Sequence, residues 1–167
     1  IVLKNTILKK MLTLFLNKNY KSILIFFVLA VCFYRSPHIF LNGRFLAEDG
    51  SFWFSNAYSY GALKGITQIY FGTQYFNLWA NFSSVISSLF PLELAPLAMV
   101  YMAFLVQFYL YVFIVFGRSK FLTTKLDKII GVLIVIITPP MLPAVWLASN
   151  LSQVYFSIIT ILIFFQE

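Results

Sequence analysis

Two acidic side chains stand next to each other in a chain that has few. Only five of the 167 residues are Asp or Glu, and Glu48 and Asp49 are adjacent. The single Cys32 and the single His38 add no cysteine or histidine cluster, and a lone His is typical of a structural or interfacial position. Because an Asp-Gly pair such as 49–50 is also typical of a solvated turn, the pair marks a candidate site without demonstrating catalysis.

The residues after the acid pair are aromatic or small and polar. Trp53, Asn56 and Tyr58 follow within ten residues. Such a mixture can hold a sugar by ring stacking and hydrogen bonding, and it suits an interfacial aromatic belt equally well. Both interpretations place this segment at a surface where water meets apolar material.

Composition indicates the class of protein that must position these residues. Hydrophobic residues make up 61% of the chain and charged residues 10%, whereas about a quarter of the residues in a soluble domain are charged. The 20 Phe and 10 Tyr fit lipid-facing helices and interfacial belts. We therefore predict an all-α integral membrane protein, a multi-pass helix bundle. The net charge of +7 does not indicate nucleic acid, because the basic residues flank apolar segments, as topology signals do.

The hydrophobic pattern predicts a single transmembrane region over 1–167 with about four spans. The segment 94–116 contains 23 uncharged residues, about 35 Å of helix, which is enough to cross a bilayer core. Three prolines at 139, 140 and 143 should kink or break the third span. The expected spans are 22–41, 94–116, 129–147 and 151–166.

A long segment at 35–93 should lie outside the cytoplasm and carry interfacial helices. Within it, 76–90 has apolar residues at helical spacing and polar residues opposite, as expected for an amphipathic helix lying along the membrane surface. If 76–90 crossed the membrane, the two basic segments, up to Lys21 and at 117–128, would lie on opposite sides. Since basic segments favour the cytoplasm, we expect a cytoplasmic N-terminus and two crossings between these segments.

The first apolar segment has a competing interpretation as a cleaved signal peptide. A basic start followed by about a dozen apolar residues has the right order, and 29–32 (LAVC) resembles a lipoprotein cleavage site. Val31 is large for the position before a modified Cys, and strongly apolar segments follow in any case. We therefore favour a retained span.

The segments 43–50 (GRFLAEDG) and 56–58 (NAY) follow a basic N-terminus and one expected span. With these residues, the region from the first span to the fourth resembles the start of a GT-C superfamily membrane glycosyltransferase. In that superfamily the first outward loop holds an acidic pair near the membrane, and helices of that loop lie along the interface. The donor is a sugar linked to a polyprenyl phosphate. The resemblance implies sugar transfer to an acceptor on the extracytoplasmic side, in a cell-envelope membrane such as the bacterial inner membrane.

The resemblance also suggests roles for individual residues. Asp49 would act as general base on the acceptor hydroxyl, with Glu48 orienting the acceptor or exchanging roles with it. Arg44 could hold the phosphate of the donor, or it could face lipid headgroups. Asn150 could contact the donor headgroup or cap the fourth helix. Trp53, Asn56 and Tyr58 would contact the sugar.

No cofactor is expected. Some superfamily members hold a divalent metal partly through acids in the second outward loop, but the corner at 139–150 contains no carboxylate. Because a hard cation prefers oxygen ligands that include carboxylates, a metal is not supported by this sequence. The expected partners are the lipid-linked sugar donor and membrane lipids, and no nucleic acid.

A non-catalytic membrane protein is the alternative. The chain could be a transporter or flippase piece, or a structural subunit with solvated carboxylates. Transporters commonly place ionisable groups within their spans, and the four expected spans contain none near the midplane. We also expect the chain to be the N-terminal part of a longer protein, since superfamily members have many more spans.

Overall fold

Helices form every regular element that the structure describes. The structure is a computed structural model that describes residues 2–46, 48–71, 74–138 and 146–166, with side chains from Asn19 onward. The elements are α-helices, one π-helical turn and one 3-10 turn. Isolated backbone bridges join Tyr70 to Tyr75 and Ser119 to Gln166. The all-α class expected from the sequence is confirmed for the described part of the chain.

The first helix ends earlier than the sequence suggested. Helix α1 spans Val2–Arg35, and helix α2 spans Pro37–Asn42. Ser36 between them has φ −157° and ψ 72°. Pro37 has no N–H to donate to the backbone hydrogen bonds of the helix, and it disfavours the helical conformation of the residue before it. The continuous helix expected over 22–41 is therefore interrupted at Ser36.

Short helical elements fill the region between the first and second expected spans. They are a π-helical turn at Asp49–Phe54, helix α3 at Ser55–Tyr60, helix α4 at Ala62–Ile66 and helix α5 at Leu78–Ser87. Helix α5 coincides with the amphipathic helix expected over 76–90. It begins at Asn77, whose Oδ1 accepts the N–H of Ala80 at 3.0 Å, as an N-cap residue does.

Helix α5 buries its polar face and exposes its apolar face. The side chains of Asn81, Ser84 and Ser87 are fully buried, whereas Leu78 is 60% exposed and Phe82 is 37% exposed. A surface helix of a soluble protein has the opposite arrangement. The outward face of α5 is thus suited to an apolar environment.

Helix α6, Ala95–Phe116, is the central element of the fold. It packs against α1, α2 and α5, and against the two helices that follow it. Tyr101 donates its hydroxyl hydrogen to the carbonyl oxygen of Phe40 at 3.1 Å, which ties α2 to α6. Within the described ranges, α6 is the one helix that is both long and apolar enough to cross a membrane. Its 22 residues give about 33 Å of helix.

The last two helices are shorter than the bilayer core. Helix α7 spans Lys125–Ile137 and helix α8 spans Ser152–Phe164, each about 20 Å long. Thr124 and Asp127 form a reciprocal capping box that fixes the start of α7. Helix α7 overlaps the first half of the expected span 129–147, and helix α8 lies within the expected span 151–166. The three prolines at 139, 140 and 143, which were expected to kink the third span, fall outside the described residues. Four complete crossings therefore stay a prediction.

The four longer helices, α1, α6, α7 and α8, alternate in direction, and basic residues lie together at one end. Helix α7 starts at this basic end, α6 and α8 finish there, and α1 passes it at Lys21 before it ends at Arg35 on the opposite side. At the basic end, Lys128 Nζ donates to the carbonyl oxygen of Gly117 at 2.9 Å. At the same end, Lys21 lies over the ring of Phe116, and the N–H of Lys120 donates to the carbonyl oxygen of Phe165. At the opposite end, Arg35 donates to the carbonyl oxygen of Ile136.

Two glycines with the same backbone conformation provide a test of this packing. Gly43 (φ 64°, ψ 161°) and Gly61 (φ 81°, ψ 172°) lie in a region that is essentially restricted to glycine. A Cβ added at Gly43 would overlap the backbone of Leu97 in α6, whereas a Cβ at Gly61 would meet nothing within 4 Å.

We expect Gly61→Ala to cost about 1–3 kcal/mol from backbone strain alone, and Gly43→Ala to cost clearly more, because α2 must also move away from α6. Thermal unfolding of both variants in detergent, followed by intrinsic fluorescence, measures the difference. Equal losses would show that α2 does not approach α6 this closely.

Candidate functional site

Asp49 is a buried carboxylate with both oxygens occupied. It is the first residue of the π-helical turn and is 1% exposed. Its Oδ1 accepts the hydroxyl of Ser149 at 2.6 Å, and its Oδ2 accepts the backbone N–H of Ser149 at 3.0 Å. These two bonds tie the first predicted outward loop to the corner that precedes α8.

Glu48 makes the neighbouring contact and is less buried. Its Oε2 accepts a hydrogen bond from the side-chain amide of Asn150 at 3.1 Å, and its side chain is half-buried. The backbone carbonyl of Asn150 accepts from Asn77 Nδ2 at 3.2 Å. Residues 48–49, 149–150 and 77 thus join three segments that are distant in sequence.

Burial raises the pKa of Asp49 from an ordinary 3.8 to about 6. The loss of solvation is the largest cause, and the negative charge of Glu48 acts in the same direction. The hydrogen bonds from Ser149 oppose the rise, because they stabilise the charged carboxylate. A carboxylate with this pKa is still mostly ionised at pH 7 but changes charge within a physiologically accessible range.

Tyr75 lies beside the acid pair, and the sequence interpretation missed it. Its pKa is raised first by burial and then by the negative charge of Glu48, while a hydrogen bond from Asn150 opposes the rise. Its ring packs on Trp53 at a centroid distance of 5.8 Å and on Tyr70 at 5.7 Å. Neither Tyr75 nor Asn77 belongs to a recognisable motif, so only their proximity in the fold identifies them.

The other predicted site residues occupy different environments. Trp53 is fully buried, so its ring faces are covered by protein, and its Nε1 has no hydrogen-bond partner among the described residues. Tyr58 is 60% exposed and stacks on Phe54 at 5.6 Å. Asn56 is half-buried on the same helix, and Arg44 is exposed between α2 and the π-helical turn. Of the predicted site residues, the hydrogen bonds bring Glu48, Asp49 and Asn150 together.

The site contains one further polar atom that is suited to a ligand. Asn150 Oδ1 is buried and has no hydrogen-bond partner in the described part of the chain. Such an atom is usually satisfied by water or by a bound polar group. No cluster of three or more His, Cys, Asp or Glu side chains suited to a metal occurs among the residues described. No known protein family, curated protein or solved structure matches this chain.

The raised pKa of Asp49 predicts a pH-dependent stability. Because the folded protein binds the Asp49 proton more tightly than the unfolded chain does, the free energy of unfolding should fall as the pH rises from about 4 to about 6. The Asp49 contribution is about 3 kcal/mol by order of magnitude. Asp49→Asn should flatten this part of the profile in thermal unfolding from pH 4 to 8.

Glu93→Gln is the matched control, because Glu93 is exposed and should leave the profile unchanged. A slope between pH 4 and 6 that is the same in wild type and Asp49→Asn would contradict the burial of Asp49.

Proposed function

We propose that the chain belongs to an integral membrane protein, a multi-pass helix bundle with the acid pair outside the cytoplasm. The 61% hydrophobic composition, the apolar outward face of α5 and the spanning length of α6 support this proposal. The exposed side chains of α6 and α8 include several large apolar residues, which soluble proteins rarely expose together. They are Tyr101, Leu105, Tyr109, Phe116, Val154, Phe156, Ile161, Ile163 and Phe164.

The arrangement of charge supports the proposed orientation. The basic residues at the start of α7 and near the end of α6 lie at the same end of the helices as Lys21. The acid pair lies toward the opposite end, near the start of α8. Positively charged ends favour the cytoplasm, so the acid pair would face the other side.

The proposed activity is transfer of a sugar from a polyprenyl-phosphate-linked donor to an acceptor hydroxyl on the extracytoplasmic side. One carboxylate of the pair takes the hydroxyl proton as the acceptor oxygen bonds to the anomeric carbon. The bond between that carbon and the phosphate oxygen breaks, and the polyprenyl phosphate leaves with the electron pair. The main supporting observation is that the fold joins Glu48 to the amide of Asn150 and Asp49 to Ser149. The amide oxygen of Asn150 lacks a partner within the described chain.

The resemblance to GT-C glycosyltransferases supplies the identity of the donor. The segment 43–50 carries that resemblance, and its two acids accept hydrogen bonds from the neighbouring residues Ser149 and Asn150. Arg44 of this segment is exposed, as a residue that binds a donor phosphate must be. We assign no metal to the site.

A non-catalytic structural subunit is the second candidate. The observation that favours it is that Asp49 is buried and accepts one hydrogen bond from Ser149 at each oxygen, an arrangement that a purely structural carboxylate also shows. Activity measurements on acid-pair variants separate the two candidates.

The orientation can be tested with single cysteines in a Cys32→Ser background. Ser59 on α3 and Lys120 near the end of α6 are both exposed. We expect an impermeant thiol reagent to label Ser59→Cys on intact cells and to label Lys120→Cys only after permeabilisation. The reverse pattern would overturn the proposed orientation.

The activity can be tested with charge-removing variants of the acid pair. Glu48→Gln and Asp49→Asn should both reduce transfer from a radiolabelled polyprenyl-phosphate hexose in membranes, and the loss of the general base should cost about 10²-fold or more. Glu93→Gln removes an exposed charge near the start of α6 and should be silent. If both acid-pair variants equal wild type, the structural subunit is the correct assignment.

A further inference from the structure

The two carboxylates of the acid pair differ in how a substrate could reach them. Asp49 is 1% exposed, and each of its oxygens already accepts a hydrogen bond from Ser149. Glu48 is half-buried and is held through one oxygen by Asn150. Because a general base must come within hydrogen-bond distance of the proton it takes, a substrate could reach Asp49 only after the protein packed around it opens.

We infer that Asp49 is a positioning residue that acts through Ser149, and that Glu48 is the carboxylate that contacts the acceptor. The inference rests on the proposed sugar transfer and assigns separate roles to the two acids. It reverses the order of preference that the sequence suggested, in which Asp49 was the first choice for the base.

The positioning follows from the pairing of two dipeptides. Residues 48 and 49 face residues 149 and 150, with Asp49 opposite Ser149 and Glu48 opposite Asn150. The two bonds to Asp49 fix both the side chain and the backbone of Ser149, so they also fix where Asn150 begins. The Asn150 amide can then hold Glu48 in one orientation.

The third segment makes the arrangement more rigid. Asn77 donates to the carbonyl oxygen of Asn150 and at the same time caps α5 by accepting from Ala80. Asn150 is thus held at its backbone by α5 and at its side chain by Glu48. The Glu48 carboxylate is therefore held by a fixed partner, and a catalytic group held in this way loses less conformational entropy when the substrate binds.

Asparagine at position 49 would preserve part of this arrangement. Its side chain offers one acceptor oxygen in place of two, so one of the two Ser149 donors would lose its acceptor. The loss should be on the scale of one hydrogen bond, about tenfold in rate. Glutamine at position 48 cannot accept the proton at all, and the loss should be about 10²-fold or more.

The test compares transfer rates in the full-length protein, with a radiolabelled polyprenyl-phosphate hexose as donor. We expect Asp49→Asn and Ser149→Ala each to lose about tenfold, and the double variant to lose no more than the worse single variant, because both changes remove the same interaction. Ser157→Ala, an exposed serine on α8, is the control and should be silent.

Rescue by an added small carboxylate distinguishes the base from the positioning residue. Formate should restore transfer to Glu48→Ala and should leave Asp49→Ala unrescued, since formate can replace a proton acceptor but not an anchored loop. Rescue of Asp49→Ala, or an Asp49→Asn loss as large as that of Glu48→Gln, would overturn the inference.

Failure of the inference and failure of the proposed function give different results. A wild-type protein without transfer activity refutes the proposed function and with it the role of Glu48. An active wild type in which the losses from Asp49→Asn and Ser149→Ala multiply refutes the positioning role alone. Thermal unfolding of the same variants checks folding, and variants that melt with the wild type report on catalysis only.

Discussion

The pair of hydrogen bonds from Ser149 to Asp49 is the constraint on which the end of the fold that holds the acid pair depends. Withdrawing a carboxylate from water is costly unless donors replace the lost solvation, and here one serine supplies two. The bonds join residues that are 100 positions apart in sequence. The placement of Glu48, the start of α8 and the backbone bond to Asn77 all follow from them.

Helix α6 provides the frame that makes this junction possible. Apart from the buried Gln107, it carries apolar or aromatic side chains both on the side that faces other helices and on the exposed side. Its start lies against α2 and α5, and its end lies against the basic residues. The basic residues and the acid pair therefore lie toward opposite ends of α6, which has no charged residue of its own.

The sequence predicts the positions of the helices better than it predicts which of their faces are buried. Helix α6 was predictable because a long uncharged apolar segment has few alternatives to a helix that is buried or crosses a membrane. Helix α5 was predictable from its spacing, but the direction of its polar face was not, because periodicity does not tell which face meets protein. The break at Ser36 was missed because the expected span was extended across the polar residues 35–38 to the apolar residues 39–41, although Pro37 was the available signal.

The grouping of the candidate residues was predictable in part. The adjacency of Glu48 and Asp49 identifies the pair, and Asn150, which was included as a polar residue before the fourth span, contacts Glu48 in the structure. The burial of Asp49 and Trp53 was not predictable, because both residue types are common at surfaces and interfaces. Ser149, Tyr75 and Asn77 enter the site through tertiary contacts that leave no local pattern.

The distance along the chain between Asp49 and Ser149 also bears on how the protein is made. A ribosome that adds about 5–20 residues per second needs about 5–20 s to add the 100 residues between them. During that interval the carboxylate has no serine partner and must stay hydrated, so the first loop cannot reach its final packing. Packing around Asp49 is therefore completed late in biosynthesis, after the corner before α8 has emerged.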